Sequence, residues 1–146
     1  MIALRGAESS EAFGVRLAAA LVPGDVVALY GDLGAGKTSL ARGVLRGLGF
    51  EGDVASPTFP IVLTYDELAL PVWHADLYRL EDPRELEELA LDEALDGGVL
   101  LIEWPERLGS ALWPHALRLT LRRDGEGARA LTAQVPPAWE GRWPPR

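Results

Sequence analysis

Cysteine is absent from the 146 residues, which excludes a disulfide framework and thiolate metal sites. The two histidines, His74 and His115, stand too far apart in sequence to form a zinc-ligand cluster. No run approaches the roughly 20 apolar residues that span a bilayer. The opening MIALRGAESS also lacks the apolar stretch of a secretory signal, so a cytoplasmic chain with no membrane segment is expected. Positive charge is scarce: 14 Lys and Arg face 22 Asp and Glu, a net charge of -8. That balance opposes direct capture of a phosphate backbone, which ordinarily uses clustered basic side chains. If nucleic acid is involved, another protein is expected to hold most of it. Lysine is scarcest of all, with Lys37 alone against 13 arginines. A bias that turns every other basic position to arginine makes the surviving lysine informative, because arginine brings a broad fork and lysine a compact ammonium on a thin stem.

What is present is the composition of one globular domain, 48% apolar and 25% charged. SSEAFGVRLAAALV places Phe13, Leu17 and Leu21 at helical spacing behind a serine cap, which predicts a helix over 10–21 that Pro23-Gly24 stops. DVVALYG is nearly all apolar, the pattern of a strand buried on both faces of a parallel sheet, and GGVLLIEW is a second such run. Between the glycines at 34–36 and Gly49, KTSLARGVLRGLG returns to helical period. FPIVLTY and PVWHADLY predict two strands around a turn. Asp82 as cap and Pro83 at the first helical position predict a helix over about 83–95, and PERLGSAL a short one. HALRLTLRR and ARALTAQV alternate around DGEG as an antiparallel hairpin. The expected architecture is a single α/β domain over residues 1–136, of P-loop NTPase type. Its mostly parallel central sheet is flanked by helices and ends in an antiparallel hairpin, and a Trp/Pro-rich tail occupies 137–146.

The lone lysine sits in GDLGAGKT, which fills G-x-x-x-x-G-K-[ST] between a predicted strand and a predicted helix, the context this motif requires. Glycines there let successive N–H groups point inward at phosphate oxygens. The helix N-terminus adds a favourable dipole, Lys37 can reach the β and γ phosphates, and the Thr38 hydroxyl can ligate Mg²⁺. Magnesium takes oxygen ligands and keeps several waters, so a carboxylate is expected near Thr38. Ligands of open α/β sheets bind beyond the carboxyl ends of the strands, which selects Asp76 and Glu103. A guanine-reading [NT]-K-x-D loop is impossible without a second lysine, so ATP is the expected nucleotide. DGEG fits D-x-x-G, but a hairpin turn accounts for it.

Four ordered pieces, GDLGAGKTSLARGVLRGLG, SPTF at 56–59, HADLYRL at 74–80 and LIEWPER at 101–107, together resemble the TsaE (YjeE) family of bacterial P-loop ATPases, from about Ser10 to Arg129. The resemblance implies that Leu33, Gly34, Ala35, Gly36, Lys37 and Thr38 wrap the phosphates of ATP. It implies that Thr38 and Glu103 hold Mg²⁺ and that Asp76 is needed for turnover, orienting water. Further ATP contacts are implied for Ser10, ahead of the first helix, and for Arg129 in the hairpin. Thr58 would lie in a nucleotide-responsive loop and Trp104 beside the site. Ser39 stands where the family often has a second threonine, and it keeps the hydroxyl. The family works with a TsaB-TsaD heterodimer, in which TsaD transfers a threonylcarbamoyl group to the adenosine beside the anticodon of tRNA. ATP hydrolysis, slow without partners, is implied to reset that complex, so tRNA is met indirectly.

Two further readings belong to other classes: a nucleotide-gated adaptor whose hydrolysis is incidental, and a small-molecule kinase, for which the sequence shows no second substrate site. Residues 81–96 carry eight acids against one arginine, either a docking face for a basic partner or a solvated helix surface. Trp139 and Trp143 either insert into a partner or fold back over the core.

Overall fold

The computed structural model describes residues 1–32, 34–54 and 62–146. Among these residues seven strands form one sheet: β1 (Ile2–Arg5), β2 (Val26–Tyr30), β3 (Val62–Tyr65), β4 (Val72–Asp76), β5 (Val99–Glu103), β6 (Leu117–Arg123) and β7 (Ala128–Gln134). Their order is β1-β7-β6-β2-β5-β4-β3. The four central strands, β6, β2, β5 and β4, run parallel, and the pairs β1–β7, β6–β7 and β3–β4 are antiparallel. This is the expected α/β domain with a parallel centre and a C-terminal hairpin. The hairpin closes at DGEG, where Gly125 and Gly127 have positive φ and the Asp124 N–H donates to the Ala128 carbonyl at 3.0 Å.

Strand parity sorts the core into two layers. Val27, Leu29, Val99 and Leu101 face α1 (Gly6–Ala20) and α2 (Lys37–Gly47), while Val26, Ala28, Leu100 and Ile102 face the other side. There they meet Leu91 and Ala94, in a 3₁₀ segment after α3 (Pro83–Leu89), and Leu108, in a second 3₁₀ segment over Pro105–Ala111. The central strands are buried on both faces, which is why they read as unbroken apolar runs. Helices α1 and α2 pack against each other closely enough that a Cβ at Gly14 would collide with the Leu40 carbonyl, and one at Gly43 with the Glu11 carbonyl. Only hydrogen fits at either position.

Several boundaries differ from the sequence expectation. The first helix begins at Gly6, not near Ser10, because strand β1 delivers the chain directly into it; Ser10 is therefore a buried residue within α1 and no cap. The helix predicted over 83–95 ends at Leu89, where Ala90 turns left-handed (φ 50°, ψ 46°) and lets Leu91 and Ala94 reach the core. Asp82 caps it as expected, accepting from the Arg84 N–H at 2.9 Å. PERLGSAL does form a short helix, of 3₁₀ type and broken at Gly109. Of FPIVLTY, residues 62–65 are strand and 59–61 lie outside the described residues. Residues 137–146 lie against the α1 side of the domain: Trp139 is fully buried, and the Trp143 ring meets Phe13 edge-on at 5.9 Å.

Candidate functional site

β2 ends at Tyr30, between the parallel neighbours β5 and β6, and the glycine loop follows immediately over the carboxyl ends of the sheet. Gly34 (φ 79°) and Gly36 (φ 102°) are left-handed, conformations that a Cβ resists, and Gly36 opens α2. The first helical residue is Lys37, only 4% exposed. Its ammonium donates to the Gly31 carbonyl at 2.6 Å and lies 3.8 Å from the centre of the Trp104 ring. The Ala35 N–H likewise donates to the Asp32 carbonyl at 3.0 Å, so both groups are engaged by the loop itself or its wall. Burial lowers the affinity of the Lys37 amine for its proton, and the Glu103 and Asp76 carboxylates, next in order, work against that.

Both acids arrive by strand parity. Asp76 and Glu103 are the last residues of β4 and β5, directly paired in register, and each falls on the face that α2 covers. Glu103 is 3% exposed; its backbone carbonyl accepts from the Leu77 N–H at 3.1 Å, and its carboxylate accepts from His74 Nε2 at 2.7 Å. Asp76 accepts from the Tyr78 N–H at 3.0 Å. Burial raises the Asp76 pKa; the Tyr78 N–H opposes the shift and the Glu103 carboxylate adds to it.

A cavity of about 460 Å³ joins these parts, lined by Gly34, Gly36, Lys37, Thr38, Ser39, Asp76, Glu103, Trp104 and Arg129 among others. Nine of the residues singled out in the sequence thus surround one space. Arg129 comes from β7, and its guanidinium donates to the Gly34 carbonyl at 3.2 Å. Ser10 stands behind the loop: its Oγ and the Arg129 side chain both lie just under 4 Å from where a Cβ on Gly36 would be. Ala35 is buried against the sheet. Leu33 and Thr58 lie outside the described residues. Three residues of the site carried no role in the sequence reading: Tyr78 and Arg79, which line the cavity, and His74, completely buried beneath it. The signal for Tyr78 and Arg79 was their place just past a strand end.

The donor set suits magnesium better than a metal caged by protein alone. Thr38 and two carboxylates converge on the cavity, whereas no group of three or more His, Cys, Asp or Glu among the described residues could by itself hold a metal. Magnesium retains waters and takes few protein ligands, so one hydroxyl and one or two carboxylates fit it.

A family model described as threonylcarbamoyl adenosine biosynthesis protein TsaE matches residues 4–131. The chain belongs to the TsaE family. Among TsaE relatives, described as tRNA threonylcarbamoyladenosine biosynthesis proteins, that of Bacillus subtilis is 43% identical over 126 residues, 86% of this chain and 78% of that protein. That of Synechocystis is 46% identical over 105 residues, 68% and 66% of the two chains. The fold is similar to the crystal structure of Bacillus subtilis YdiB, with a TM-score of 0.81 and 34% identity, covering 96% of this chain and 88% of that one. TsaE membership thus agrees with the fold, and the loop, both acids and Arg129 all fall within the matched residues. No described helix is long and apolar enough to cross a membrane.

Proposed function

We propose that this TsaE-family chain is a Mg²⁺-dependent ATPase that acts with a TsaB-TsaD complex in forming threonylcarbamoyladenosine beside the anticodon of tRNA. Its hydrolysis would reset that complex between cycles. The observation that carries the reading is the convergence of the glycine loop, Lys37, Thr38, Asp76 and Glu103 on one cavity at the carboxyl ends of parallel strands. Phosphoryl transfer asks mainly for positioning and charge stabilisation, and these are the groups that supply them.

The loop N–H groups and the α2 N-terminus bind phosphate oxygens. Lys37 exchanges its bond to the Gly31 carbonyl for the β and γ phosphates. Thr38 and Glu103 hold Mg²⁺, which when bound offsets the charge of those phosphates. Asp76, beside Glu103 and more basic than an ordinary aspartate, orients the attacking water and is placed to accept its proton. Arg129 and Ser10 contact the nucleotide from the hairpin and α1 side. The family's work with TsaB and TsaD lets an acidic chain act on tRNA without gripping it.

The test is ATP hydrolysis by the purified chain alone and with TsaB and TsaD, in parallel with Lys37→Ala. A rise on adding the partners that the variant lacks is the expected result. Unchanged activity in Lys37→Ala overturns the site, and tight ATP binding with no rise on adding partners favours the nucleotide-gated adaptor.

A further inference from the structure

Among the described residues His74 is the one completely buried polar side chain of the sheet, and nothing in the chemistry above uses it. It lies on β4 two residues before Asp76 and pairs in register with Leu101, so it shares a face with Asp76, Leu101 and Glu103. That diagonal brings its Nε2 to 2.7 Å from Glu103 Oε2. Both side chains are nearly sealed from solvent, at 0% and 4% exposure. The other ring nitrogen, Nδ1, has no hydrogen-bond partner among the described residues. A carboxylate only accepts, so the bond runs from an Nε2–H into it, and Nδ1 is left buried with no partner among the described residues.

Stability does not account for this arrangement. The neighbouring positions of that face, Val72, Val99 and Leu101, are apolar and fully buried, and a leucine at 74 would extend their layer. Taking a polar ring and a carboxylate out of water is costly, and buried polar pairs often contribute no more than well-packed apolar side chains would. What the bond does achieve is geometric. Glu103 is tied twice to this part of the chain, through its backbone carbonyl to the N–H of Leu77, just past β4, and through Oε2 to His74 within it. One carboxylate oxygen is thereby committed to the sheet, and the other is left for the cavity that Thr38 lines.

We propose that His74 is a positioning residue: it fixes the rotation of the Glu103 carboxylate so that one oxygen is held ready for a divalent cation shared with Thr38. The proposal rests on the Mg²⁺-nucleotide reading of the site and adds the group that sets its metal affinity. Partners that orient a ligating carboxylate typically cost 10–100-fold in metal affinity when removed.

The experiment is calorimetric titration of ADP and ATP into the full chain, with EDTA and then at stepped Mg²⁺ concentrations, for the natural chain, His74→Leu, His74→Gln and His74→Asn. Gln carries an N–H donor at about the reach of Nε2, whereas Asn is polar but a methylene too short. All folded variants are expected to bind nucleotide in EDTA as the natural chain does. The Mg²⁺ concentration giving half the gain in affinity is expected to rise about 10–100-fold in His74→Leu and His74→Asn, and to return to within a few-fold of natural in His74→Gln. If His74→Leu does not fold, the contrast between Gln and Asn decides. An unchanged Mg²⁺ midpoint in Leu or Asn, or a midpoint in Gln as high as theirs, overturns the positioning role while leaving the magnesium site intact. Affinity of the natural chain that does not respond to Mg²⁺ at all overturns the underlying reading, and this one with it.

Discussion

Burial makes the Asp76 carboxyl hold its proton more tightly than it would in the unfolded chain, despite the opposing Tyr78 N–H. The folded state then binds more protons than the unfolded one as pH rises past the ordinary carboxyl value of 3.8, so stability falls as pH rises from there through the folded-state pKa. Asp76→Asn keeps an oxygen for the Tyr78 N–H and removes the charge. Its melting temperature at about pH 7 is expected to exceed that of the natural chain. The gain should shrink as the pH is lowered toward 3.8. In the same variant ATP should still bind, and turnover should stop. Scanning calorimetry across pH 4 to 7 decides it, and a variant less stable than the natural chain at pH 7 would refute the assignment. The site was unevenly legible at this scale. Lys37 and Thr38 follow from a motif in its proper frame, and Asp76 and Glu103 from their positions at strand ends. The His74–Glu103 bond does not, because a diagonal between two strands exists only once their register is known, and nothing in HADLYRL or LIEWPER states that register.

Helices α1 and α2 hold the glycine loop at its angle to the sheet, and their closest approach is backbone against backbone. At Gly43 a methyl group would meet the carbonyl, carbonyl carbon and Cα of Glu11, none of which is the end of a flexible side chain. Gly43→Ala is therefore expected to cost about 1–3 kcal/mol, the usual range for overpacking, although alanine is the better helix former. Because α2 begins with Lys37 and Thr38, the same displacement should weaken nucleotide affinity. Urea unfolding measures the first effect, and an equally stable Gly43→Ala would show that the helices separate freely. Element by element, the sequence was most informative where periodicity was long or burial continuous: α2, β2 and β5 were evident. It was silent on β1, whose four residues IALR show no usable alternation and become a strand only by pairing with β7. It also ran α3 too far, because the left-handed turn at Ala90 answers to the packing of Leu91 and Ala94 and carries no glycine to announce it.

Across the whole molecule, the first and last segments are joined through the core. Arg142 donates to both oxygens of Asp25, at 2.7 and 3.1 Å, and to the Ala20 carbonyl at the end of α1, while its guanidinium lies 4.0 Å from the centre of the Trp139 ring. Asp25 immediately precedes β2, the strand that carries the glycine loop, and is 4% exposed. Removing residues 137–146 would strip Trp139 from a cluster that includes Phe13, Leu17 and Leu40 and would take the Arg142 guanidinium from Asp25, whose carboxylate would keep the Val22 N–H, at 2.8 Å, as its one hydrogen-bond partner among the described residues. Loss of a buried tryptophan costs about 3–5 kcal/mol, and loss of the Arg142–Asp25 pair adds to it, the two sharing one site and so not adding in full. The shortened chain is expected to unfold at markedly lower urea concentration, by at least about 3 kcal/mol, and Trp139→Ala alone to account for most of that. The cavity residues belong to α2, the strand ends and the loops after them, so nucleotide affinity of the folded fraction should be little altered. A shortened chain with the natural unfolding midpoint and urea dependence would instead identify 137–146 as a dispensable tail. A loss as large as argued makes the segment part of the same cooperative unit as the loop it lies behind.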